Sequence, residues 1–127
     1  MIKPYLLLAA FALQAEVPIA CNLNALTPPQ RQTLKSFSDR ASHAVIDSRD
    51  LPDGYGFRFD STQLSLTDVA AGVDLWRKCC PFYEFEIQLR GEDGSLWLNL
   101  RGRKGVKEYF PIDAPQLAAK LPKPSSR

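Results

Sequence analysis

The sequence predicts an α+β fold: two helix-plus-β-hairpin units forming a four-stranded antiparallel sheet with helices packed on one face. Three observations carry this expectation. Two segments open with helix-capping signals and then repeat apolar residues every three or four positions. Two others alternate apolar and polar residues around short turns. The length of 127 residues, with 45% hydrophobic and 24% charged residues, suits one domain with a core of its own.

The first helix is expected over residues 28–42. Thr27 is its N-cap, Pro28 and Pro29 occupy the first turn, and Gln30 stands where a capping box needs an amide. Leu34, Phe37, Ala41 and then Ala44 or Val45 recur at helical spacing. The run from Ala44 to Asp50, the turn Leu51-Pro52-Asp53-Gly54, and the alternating Tyr55, Phe57 and Phe59 read as a hairpin. Ser65 with Asp68 repeats the capping box, and Leu66, Val69, Val73, Trp76 and Cys80 form one stripe of a second helix. Arg77 and Lys78 complement its negative end, and Pro81 stops it.

Residues 83–90 and 96–101 alternate again around Gly91-Glu92-Asp93-Gly94, which predicts a second hairpin. Gly105 to Phe110 and Asp113 to Leu121 are expected as short helices broken at Pro111. The single α+β domain is expected over 16–121. Residues 122–127, with two prolines and two serines, have the composition of a disordered tail.

The N-terminus differs from the rest. One lysine, an apolar run from Pro4 to Leu13 and the small Ala15 before Glu16 have the layout of a signal peptide over 1–15. The expectation is export, to the periplasm or the exterior. The run is too short to span a bilayer, so no integral membrane segment is expected in the mature chain. Cleavage before Cys21 with lipid attachment is the rival reading, and Pro18 fits that motif poorly. A formal charge of +2 without a dense Lys/Arg run argues against nucleic acid as a partner.

The chemistry resides in sulfur. Cys79 and Cys80 are adjacent, between Lys78 and Pro81, and Cys21 is the third cysteine. Neighbouring side chains on a helix diverge by about 100°, but unwinding at Pro81 would turn both sulfurs toward one ion. With Cys21, three thiolates would form a metal site for a soft ion such as Cu(I), Zn(II) or Hg(II). The same residues also fit a thiol–disulfide redox pair at Cys79/Cys80, or purely structural thiols. In an oxidising compartment three cysteines leave one unpaired. Trp97, with Arg58 and Arg101 near it on the polar sheet face, is the candidate contact for a protein partner or a homodimer. A lone histidine such as His43 is more often a surface or capping residue than one half of a Cys–His nucleophile pair, and no phosphate-binding or zinc-ligand motif is present. The leading expectation is a non-enzymatic exported binding protein.

Ile19-Ala20-Cys21 followed by Leu26-Thr27-Pro28, the Leu51-Pro52-Asp53-Gly54-Tyr55 turn, Cys79-Cys80-Pro81-Phe82 with Phe85, and Gly105-Val106-Lys107 resemble a family of small uncharacterised bacterial proteins with a Cys-Cys-Pro-Phe motif. The resemblance covers most of residues 17–110. It implies a fold unit and a set of cysteines, and it brings no activity with it.

Overall fold

The computed structural model describes residues 16–123. The signal-peptide reading of 1–15 lies outside the described residues, as does most of the expected tail. A short 3-10 turn, Leu23–Ala25, leads into α1, Pro28–Ala44. The chain continues through β1 (Val45–Leu51), β2 (Gly54–Phe59) and α2 (Leu66–Cys79), then β3 (Glu84–Leu89) and β4 (Leu96–Arg101). It ends in α3 (Val106–Asp113) and α4 (Pro115–Ala118). No helix among the described residues is long and apolar enough to cross a membrane.

Both capping boxes form as expected. Thr27 Oγ1 accepts from the Gln30 amide while Gln30 Oε1 accepts from the Thr27 amide, and Ser65 and Asp68 exchange the same pair of bonds. Helix α1 continues two residues past the expected end, because Ala41 and Ala44 keep its apolar stripe buried to the last turn. The expected break at Pro111 is corrected. Helix α3 runs through Pro111 and stops at Ala114, whose φ of −128° and ψ of 67° leave the helical region. A residue before proline is pushed out of the α region, and Pro115 follows Ala114. Gly105, at φ 100°, makes the left-handed entry to α3 that a side chain would disfavour.

The sheet order is β1-β2-β4-β3, with all neighbours antiparallel. The two hairpins therefore join through β2 and β4, the central strands. One sheet face carries Phe57, Phe59, Leu96, Leu98 and Leu100, all buried beneath the helices. Strand periodicity puts these residues on one side, and each contributes about 1.5–3 kcal/mol by leaving water. Helices α1 and α2 approach closely at Gly72. A Cβ there would stand 2.4 Å from the Phe37 ring.

Candidate cysteine centre and adjoining cleft

The end of α2, the N-terminal segment and the end of α3 meet at the sulfurs. Cys21 and Cys80 are joined by a disulfide, with S–S at 2.07 Å and Cα–Cα at 4.4 Å. Cys79 is the free thiol. Its sulfur lies 3.5 Å from that of Cys80. The three sulfurs gather, but the expected set of three thiolates is corrected: Cys80 bonds to Cys21 across 59 positions, not to its neighbour as a Cys79/Cys80 pair would require, and Cys79 and Cys80 are both buried. Cys80 is the C-cap of α2, with φ −127° and ψ 69°. That non-helical backbone turns its sulfur away from the helix axis and toward the N-terminal segment.

Several bonds hold the N-terminal segment in place. The Asn22 amide donates to the Cys79 carbonyl at 2.7 Å, and the Cys21 amide donates to the Tyr109 hydroxyl at 3.2 Å. Arg31 donates from α1 to the carbonyls of Leu23 and Leu26, fixing the 3-10 turn. Leu26 is buried in the core beyond it.

Asp113 is the residue the sequence reading missed. Its Oδ2 accepts from Trp76 Nε1 at 3.0 Å and from the Tyr83 hydroxyl at 2.8 Å. Its Oδ1 lies 3.2 Å from the Cys21 sulfur and 3.6 Å from that of Cys80. Burial raises the Asp113 pKa, with the two donated hydrogen bonds opposing. Burial likewise raises the pKa of Cys79, and the nearby Asp113 charge adds to the rise. Tyr83 is held well above the ordinary tyrosine range by the same burial, then by Asp113. All three groups are thereby biased toward their neutral forms. A thiol so biased is a poor nucleophile, because the thiolate is the reactive species.

A cleft of about 450 Å³ opens beside this centre, between α1 and the α2–α3 junction. Leu34, Trp76, Cys79 and Asp113 line it, and Arg31 and Lys35 contribute cationic side chains. Lys35 is in no ion pair among the described residues. Its volume falls within the range of small-molecule sites, about 300–1,000 Å³.

The polar sheet face brings together the other expected residues in a different manner. Trp97 is half-buried rather than an open indole, because the Arg49 guanidinium lies 4.2 Å from its ring centroid. Arg49 also donates to Gln88 and Asn99. Fully buried Asn99 donates to Glu86 and Gln88. Arg101 pairs with Asp53 at 2.7 Å and Glu86 at 2.9 Å. Arg58 stands opposite Trp97 in the β2–β4 register. Side chains of this face thus pair with one another, and Arg49 lies over part of the Trp97 ring. Gly56 leaves the room for this: a Cβ there would meet Asn99 Oδ1 at 2.3 Å and Arg49 Nε at 2.9 Å.

No family model, curated protein or solved structure matches the chain.

Proposed function

We propose that this is an exported, non-enzymatic binding protein whose ligand occupies the cleft between α1 and the α2–α3 junction. The observation that carries the reading is a cleft of about 450 Å³ with an apolar wall beside two cationic side chains. The Cys21–Cys80 disulfide and the Trp76–Asp113 bond brace its floor. The chemistry suits a small amphipathic anion, its apolar body against Leu34 and Trp76 and its charge toward Lys35. A disulfide belongs to an oxidising compartment, which supports export. A raised Cys79 pKa argues for structural rather than redox-active sulfur.

The test uses 8-anilinonaphthalene-1-sulfonate as probe. Expected are saturable binding by one probe per chain, energy transfer from Trp76, and weaker binding in Lys35→Glu and Leu34→Asp variants that retain wild-type circular dichroism. Absence of saturable binding, or binding indifferent to both substitutions, would overturn it.

A second reading is favoured by one further observation. The ligand atoms of Cys21, Cys80 and Asp113 lie within 4.8 Å of one another. Opening the disulfide with an added dithiol would convert it to two thiols beside a carboxylate, a set for a thiophilic ion, with Cys79 adjacent. Reduced protein should then bind Cu(I), Zn(II) or Hg(II) more tightly than its Cys79→Ser/Cys80→Ser variant. Equal uptake by the two would remove this reading.

A further inference from the structure

The two edges of the sheet differ. Strand β1 carries a register shift between Val45 and Asp47, an irregularity that blunts pairing. Strand β3 has none: its register with β4 is unbroken from Glu84 to Leu89, and it contains no lysine or proline. It is the outer strand. Ile87 and Leu89 on its apolar side are 37% and 58% exposed, beyond the reach of the helices.

The orientation of its backbone follows from one bond. The Arg90 amide donates to the Ser95 carbonyl, toward β4. In an antiparallel ladder this inward direction alternates, so Gln88, Glu86 and Glu84 also face β4. The N–H and C=O groups of Phe85, Ile87 and Leu89 consequently point to the open edge.

We propose that β3 pairs with β3 of a second copy of this chain, antiparallel and centred on Ile87, making one continuous eight-stranded sheet. That register sets Ile87 opposite its own counterpart and Phe85 opposite Leu89. All are outward-facing residues, so each opposed pair exchanges both backbone hydrogen bonds. The half-exposed apolar side chains then cover one another. On the polar side Glu84 meets Arg90, and Glu86 meets Gln88. Glu84 and Arg90 are exposed and in no ion pair among the described residues, so their charges are free to match.

The neighbouring registers are less favourable. Centring on Gln88 matches Glu86 with Arg90 but sets Phe85 opposite Gly91, in the turn beyond the strand, and leaves it uncovered. Centring on Glu86 opposes Glu86 to itself. Like charges directly across a strand pair destabilise it. The self-complementary order of Glu84-Phe85-Glu86-Ile87-Gln88-Leu89-Arg90 thus selects both the partner and the alignment. The pairing uses the sheet edge and leaves the Trp97 face and the α1–α2 cleft free, so it stands apart from the binding reading above.

The full-length protein and its variants would be compared by sedimentation equilibrium over a wide concentration range, with circular dichroism as the folding control. Wild type should dimerise. Glu84→Arg and Arg90→Glu, taken singly, should each raise the dissociation constant about tenfold or more, since the two-fold axis turns both matched pairs into like-charge pairs. The double exchange Glu84→Arg/Arg90→Glu should restore dimerisation, and Ile87→Lys should abolish it. Overturning results would be a wild-type monomer throughout, including one whose edge instead accepts an unrelated extended peptide. A dimer indifferent to the single substitutions, or one that the double exchange fails to restore, would also overturn the pairing.

Discussion

Trp76 Nε1 and Asp113 Oδ2 lie 3.0 Å apart, linking the last turn of α2 to the last residue of α3. With Tyr83 on the same oxygen, Asp113 Oδ1 is left facing the Cys21–Cys80 disulfide. Three chain segments that are distant in sequence thus converge on a single half-buried carboxyl. The fold holds this group where its charge is costly, and burial accordingly raises its pKa.

The sign of the pH dependence follows. A carboxyl whose folded pKa lies above its unfolded value binds more protons in the native state, so stability falls as pH rises through the interval between them. Asp113→Asn keeps an acceptor for Trp76 and Tyr83 and carries no charge. The stability of this variant relative to wild type should therefore increase as pH rises above the ordinary aspartate range. Carboxylates with lowered pKa, such as Asp68 and Glu86, act in the opposite direction but are shared by both proteins and cancel. Urea denaturation across the range measures the difference. A relative gain by wild type with rising pH would contradict the assignment.

The disulfide should be the larger stabilising element of the sulfur centre. Cys21→Ser removes a cross-link closing a long loop and is expected to cost about 2–5 kcal/mol. Cys79→Ala removes one buried sulfur and no cross-link, at about 1 kcal/mol. Denaturant midpoints under non-reducing conditions should show that order. Equal losses would mean that packing, not the covalent tie, dominates the site.

Gly72 offers a test in which local and tertiary preferences oppose each other. Glycine to alanine inside a helix ordinarily stabilises by about 1 kcal/mol. Here the new methyl group would collide with the Phe37 ring, and overpacking costs about 1–3 kcal/mol. Gly72→Ala should therefore lower the melting temperature. In a double-mutant cycle with Phe37→Leu, the loss from Gly72→Ala should shrink in the smaller background. A stabilised single variant would show that α1 and α2 can separate at no cost.

Arg49 should screen Trp97 from solvent, since its guanidinium covers the indole. Arg49→Ala is expected to increase quenching of tryptophan fluorescence by acrylamide. Trp76 is only 4% exposed, so the increase would report on Trp97. Unchanged quenching would mean that other side chains supply the cover.

Much of the fold was legible because its signals are local. Thr27 with Gln30 and Ser65 with Asp68 satisfy backbone donors within one helical turn, so their spacing marks the helix starts directly. Strand alternation in Tyr55-Gly56-Phe57-Arg58-Phe59 and Leu96-Trp97-Leu98-Asn99-Leu100 reports which side meets a core before the core is known. The sulfur centre was legible only as a set of residues. Asp113 carried no motif, and its place beside the disulfide depends on α3 continuing through Pro111 to Ala114.

By itself the amino-acid order determined the caps, the strand periods and the collection of three thiols, because each is set by neighbours a few residues apart. Tertiary structure alone decided that Cys80 bonds to Cys21, that Asp113 closes the site and that Arg49 lies over Trp97. Those contacts join segments separated by tens of residues, and the packing of helices on the sheet, not local spacing, brings their side chains within reach.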